Sequence, residues 1–131
     1  EKRRLKYTLA FVLPQRAVRD LLSDINGEVG LVPEDWFASA DQLRQIQSAG
    51  HAIGGHGFDH AAYATLTPKE QAADMHRALE TMSRVLGAMA RPVAYPFGSA
   101  TPETEGIARG LGYTHCFGTD ERIDAMHLAG A

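Results

Sequence analysis

The sequence predicts an α/β fold of parallel strands with helices packed outside them, either a layer or a barrel. Short strand-like runs alternate with amphipathic stretches in the order strand, helix, helix, strand, helix, strand, helix, strand. The stretches "GGHGFDH" (54–60) and "YPFG" (95–98) fall at expected strand ends, where such folds gather their ligands. There is no repeat, linker or low-complexity tract, so residues 1–131 are expected to form a single domain.

The run "YTLAFVLP" (7–14) is β-branched and aromatic and ends at proline, which predicts a buried strand. "QRAVRDLL" (15–22) reads as a helix with Val18, Leu21 and Leu22 on one side. "INGEVGLVPEDWF" (25–37) carries the Asn-Gly and Pro signals of a loop; Trp36 and Phe37 in it either anchor the loop to the core or stack on a sugar. Ser39 and Gln42 form a capping box for a second helix, with Leu43 and Ile46 inward and Gly50 as its stop. "HAIGGH" (51–56) predicts a strand whose glycines serve close backbone approach.

In "TPKE" (67–70), Thr67 caps, Pro68 takes the first helical position and Glu70 reaches back. Ala72, Met75, Leu79, Met82 and Leu86 then recur at spacings of three and four until Gly87, so this helix lays one apolar stripe on a core. "RPVAYPFG" (91–98) is strand-like, Thr101 and Pro102 start another helix, and "YTHCFG" (113–118) closes the pattern as a strand.

A content of 44% hydrophobic and 22% charged residues is enough for a packed core. The net charge is −3, and the basic run "EKRRLK" at the start reads as a solvated end, because no aromatic or basic stripe follows it; neither a nucleic-acid partner nor membrane insertion is expected. Cys116 is the single cysteine, so the chain has no internal disulfide and no thiolate cluster for a metal, and the compartment stays open. No apolar run approaches bilayer length and no signal-peptide pattern is present. Glu1 stands where a Met would begin a gene product, which leads us to expect a preceding segment.

His56 and His60 lie four apart, but Gly54, Gly55 and Gly57 argue against a helix there. A strand end running into a turn would bring His56 out at the last strand position and His60 back over the same rim. Two neutral imidazoles suit Zn²⁺ or a similar divalent ion, although a catalytic zinc commonly has three protein ligands and a water. The plainer reading is that both histidines cap loops and bond to backbone. Asp59 between them could orient a ligand imidazole or cap the turn. His51, His76, His115 and His127 are each alone in their segments and are read as non-catalytic.

The stretch "LRQIQSAGHAIGGHGFDHAAYATLT" resembles the histidine motif of the polysaccharide deacetylase family (carbohydrate esterase family 4, the NodB-homology domain). "RPVAYPFGSATPETEGIARGLGYTHCFGTD" is similar to its next block, an aromatic-Pro-aromatic-Gly turn, a short helix and a Gly-Tyr strand, and "YTLAFVLP" sits where the family places a strand. The resemblance covers roughly residues 7 to 120. It implies a distorted (β/α) barrel, incomplete over these residues, and removal of acetyl groups from N-acetylated sugars or a related amide by a metal-bound water. By the same resemblance His56 and His60 match the histidine ligands of a divalent metal, zinc first, and the backbone N–H of Tyr95 matches the oxyanion donor. Trp36 and Phe97 are the aromatic residues expected against the substrate.

The chain departs from that pattern in three places. The family's first motif, a strand ending in an Asp pair that supplies the base and the third ligand, lies upstream of the "YTLAFVLP" position and has no counterpart here. The closing Leu-x-His is absent, since "AMHLAGA" has His127 in another order, and Ala94 stands where many members carry Arg. Two imidazoles without a carboxylate lack a general base, so a non-catalytic relative that binds carbohydrate or a protein partner is the alternative. A barrel without its first strand would expose an edge, from which pairing with a second copy or with a missing segment is expected. Members of the family are often exported or at the cell envelope.

Overall fold

A computed structural model describes residues 1–30, 37–87 and 92–119, and the chain divides into two compact units, Glu1–Ser39 and Ala40–Ala131. The first is helical. Helix α1 (Lys2–Tyr7) runs directly into a π-helical turn (Thr8–Val12), which ends at an extended Leu13 before Pro14. Residues 7–14 are therefore not the expected strand. No described strand pairs with them, and a helix satisfies their N–H and C=O groups locally, as the Leu13 N–H does on the Thr8 carbonyl at 3.0 Å. Tyr7 and Phe11, four apart, stack at 5.3 Å.

Helix α2 (Gln15–Val29) begins as predicted but continues through Asn26 and Gly27, which the sequence marked as a loop. The chain turns only at Gly30, left-handed at φ 62°, whose N–H closes on the Asn26 carbonyl. Leu21, Leu22, Ile25 and Val29 on this helix are exposed.

In the second unit, β1 (Pro92–Ala94) and β2 (His115–Phe117) pair in parallel, with Val93 opposite Cys116. Pro92 and Ala94 bond to Gly55 in a single parallel bridge, while Tyr95 bonds to Phe117, so β1 has a neighbour on each edge. The expected strand at 51–56 is reduced to that bridge. A Cβ on Gly54 would stand 2.8 Å from the Pro92 carbonyl oxygen, so glycine here permits the close approach at the expense of strand propensity. Two three-residue strands and one bridge make a parallel α/β arrangement; a closed barrel is not present among the described residues.

Helices α3 (Ala40–Ser48), α4 (Pro68–Leu86) and α5 (Pro102–Gly110) follow the expected order. The Thr67 capping box forms, with the Thr67 N–H on Glu70 at 2.8 Å, and Gly87 closes α4 left-handed at φ 69°. A second box joins Thr101 and Thr104 at the start of α5. Met75 and Leu79 from α4 pack with Tyr63, Val93, Tyr95, Ala108, Tyr113 and Cys116 in one core, and Ala72, Met82 and Leu86 are half-buried along the same helix. Gln71 is buried beside them. Its amide nitrogen donates to the Tyr63 and Leu66 carbonyls, and its oxygen accepts from Thr104 Oγ1 at 2.8 Å, so one side chain ties α4, α5 and the Tyr63–Thr65 turn together.

Three core tyrosines keep their phenols neutral. Burial, with Asp74 and Cys116 adding to it, pushes Tyr113 up to about 12, and burial likewise raises Tyr63 and Tyr95. The Tyr95 hydroxyl is fully enclosed and has no hydrogen-bond partner among the described residues.

Replacing Thr67 by Ala removes a cap and should cost about 1 kcal/mol in urea unfolding with an unchanged slope. Because the folded chain favours the neutral form of Tyr113, the stability held below its usual pKa of 10.0 should drain away as pH rises towards about 12, seen as a falling melting temperature. Tyr95→Phe, which deletes an enclosed and unpartnered hydroxyl, should leave thermal stability unchanged or raise it by up to about 1 kcal/mol.

Candidate metal centre

Gly55 is fixed to β1 by two backbone bonds, at 2.9 Å each, and His56 is the next residue, carried out of the sheet beside Ala94. Its Nδ1 lies 2.8 Å from the Ala94 carbonyl oxygen. A carbonyl only accepts, so Nδ1 carries the hydrogen and the neutral ring presents Nε2 as a lone pair. This is the tautomer a metal-binding imidazole has when its other nitrogen is held by a backbone carbonyl.

The chain turns back through Gly57, left-handed at φ 72°, and reaches His60, itself left-handed at φ 52°. The rings of His56 and His60 then stand 4.9 Å apart and edge to face. His60 also meets the ring of Phe97 at 4.7 Å. Phe97 sits in the Pro96–Gly98 turn that follows β1, and its φ is 59°. Among the described residues, His60 and Phe97 are the two non-glycine positions with positive φ, and they touch. Such conformations cost on the order of 1–3 kcal/mol each and persist where the surroundings over-determine them.

The turn between the histidines rests on α4. The carboxylate of Asp74, 5% exposed, accepts the Phe58 N–H at 3.0 Å, the Asp59 N–H at 2.8 Å and the Tyr63 hydroxyl at 3.0 Å. The Asp59 carboxylate faces Arg77 at 3.5 Å, and the Arg77 guanidinium covers the Phe58 ring at 3.9 Å. It is thus Asp74 whose carboxylate caps the Phe58–Asp59 turn, and the Ala94 carbonyl that orients His56. The Tyr95 N–H donates to the Phe117 carbonyl at 2.8 Å, so that donor is engaged in the sheet. Trp36 lies outside the described residues, as does His127. His76 pairs with Glu80 at 3.7 Å, and His115 contacts Thr114, each apart from the histidine pair in sequence.

Sequence reasoning missed Asp74 and Arg77. The signal was available for the first: Gln71, Asp74, Met75, Ala78 and Leu79 fall on one helical face, and an acid in that row is buried and in need of donors. The donor set suits a divalent ion, although no group of three or more His, Cys, Asp or Glu is assembled to hold one among the described residues.

The sequence model of the family described as polysaccharide deacetylase matches residues 1–116. Three solved structures are similar at a TM-score of 0.55 each. IcaB from Ammonifex degensii is 30% identical, over 72% of this chain and 46% of its own. The Streptococcus pyogenes deacetylase PplD, solved in complex with acetate, is 22% identical, over 58% of this chain and 34% of its own. A de-N-acetylase from Aggregatibacter actinomycetemcomitans is 20% identical, over 66% and 43%. The chain therefore spans less than half the length of each of these structures, and no curated protein matches it. The family match across most of the sequence, which takes in the histidine turn and the Tyr95–Gly98 turn, shows that the chain belongs to the polysaccharide deacetylase family.

Proposed function

We propose that this chain carries the histidine half of a de-N-acetylase site, which hydrolyses the acetamide of an N-acetylated carbohydrate or a related amide with a divalent ion, zinc first. The observation that carries the reading is the facing pair of imidazoles, His56 and His60 at 4.9 Å, with the Nε2 of His56 left as a lone pair by the Ala94 carbonyl. His56 and His60 are the ligands in this reading. The chemistry a bound ion supplies is polarisation of the amide carbonyl and a lower pKa for water.

The remaining roles belong to the chain itself. Ala94 fixes the tautomer of His56, which an exposed ring would otherwise exchange freely. Asp59, directly before His60 and 3.5 Å from Arg77, is the carboxylate proposed to orient a ligand imidazole. The Tyr95–Gly98 turn is our choice for oxyanion stabilisation. Tyr95 is the proposed source of its backbone donor, whose N–H meets the Phe117 carbonyl at 2.8 Å here, and Phe97, which adjoins His60, is the proposed aromatic face for a sugar. Trp36 remains a proposed stacking residue for substrate.

The family match and the acetate-bound and de-N-acetylase neighbours support hydrolysis of an acetamide, and the family is generally metal-dependent. A second reading is a non-catalytic carbohydrate-binding relative, favoured by the histidine pair having no carboxylate grouped with it among the described residues. Calorimetric zinc titration, with acetate release from an N-acetylglucosamine oligomer, separates the two.

We expect about one zinc per chain in the wild type and at least ~10-fold weaker binding in both His56→Ala and His60→Ala, with acetate release lost alongside. Oligomer binding without zinc or acetate would establish the binding relative. Undiminished zinc in both variants would remove the histidine pair from the site altogether.

A further inference from the structure

We infer that Asp74 is a positioning residue for the metal ligands and sets metal affinity through the backbone that joins them; this rests on the reading of His56 and His60 as a metal pair. Asp74 is the one charged side chain that is buried among the described residues. An ionised carboxylate in such a place costs several kcal/mol unless donors surround it. Two of its three donors are the N–H groups of Phe58 and Asp59, which belong to the three-residue link between the histidines. The third, the Tyr63 hydroxyl, belongs to the core.

The link is pressed onto that carboxylate. A Cβ on Gly57 would meet the Tyr63 hydroxyl at 3.0 Å, Asp74 Oδ2 at 3.1 Å and Pro96 Cγ at 3.2 Å, so glycine is what lets the backbone lie against all three. The Asp59 N–H bond sits directly before His60, whose left-handed backbone has to be held by its surroundings. His56 is held from the other end by Gly55 and the Ala94 carbonyl. Asp74 therefore fixes where the second imidazole stands relative to the first, and partners of this kind typically change metal affinity by about 10–100-fold when removed. Asp59, nearer in sequence, has its carboxylate against Arg77.

Asp74→Asn in the intact chain keeps the size but offers one oxygen and places an NH₂ donor against the loop amides, so both loop bonds cannot survive. We expect zinc to bind about 10–100-fold more weakly in calorimetry and the visible spectrum of the cobalt-loaded protein to shift, with far-ultraviolet circular dichroism retained. Equal zinc affinity and an unchanged cobalt spectrum in Asp74→Asn, with binding abolished in His56→Ala, would overturn the inference and leave the metal reading standing. Wild-type affinity in His56→Ala would end the metal reading itself and the inference with it. Should Asp74→Asn fail to fold, amide exchange on the metal-free wild type decides: slow exchange at Phe58 and Asp59 that zinc leaves unaltered supports a link already held by Asp74, and free-peptide rates at both overturn it.

Discussion

The carboxylate of Asp74 is the point on which the candidate site and the core depend together. It takes the Tyr63 hydroxyl from below and two turn amides from above, so the same charge that has to be accommodated in the interior also supports the surface turn. Charge-assisted bonds of this sort are about twice as strong as neutral ones, and three of them offset a desolvation that none could offset alone. Helix α4 holds the acid in place because its own ends are closed, by the Thr67 box and by Gly87, and because Met75 and Leu79 beside it are packed. Rigidity thus passes from helix caps to a buried acid, and from the acid to the histidines.

The same helix explains what was legible in the sequence. Thr-Pro starts and a glycine stop are local signals with local causes, and the helices at 68–86 and 102–110 follow them. The motif that singled out His56 and His60 was likewise local, and the structure brings their rings together. Residues 7–14 failed because an apolar, β-branched run says that a segment wants burial, not which partner completes it; with no strand beside it among the described residues, the helical hydrogen-bond pattern prevails. At 25–29 the Asn-Gly signal yielded to the continuation of a helix whose left-handed end comes one residue after Val29.

The reduction of the expected strand 51–56 to one bridge, and the role of Asp74, escaped the sequence for the opposite reason. Both depend on groups far along the chain: Pro92 and Ala94 for Gly55, and the Phe58 and Asp59 amides for Asp74. Side-chain types do not encode which backbone N–H groups will be left facing an acid. Asp59 faces Arg77, and the orientation of His56 comes from the carbonyl of an alanine, which carries no signature at all.

The bond from His56 to Ala94 spans 38 positions, and α4 is the crossover that closes it. Closing a span of that length costs chain entropy before any contact within it is gained. The place of His56 is consequently set by contacts far along the chain. Helix α4 is capped by its own neighbours, whereas the histidine turn takes its supports from α4 and from β1 beside Gly55. A divalent ion held by His56 and His60, as proposed, would therefore take its geometry from the parallel pairing rather than from the short link between the two rings.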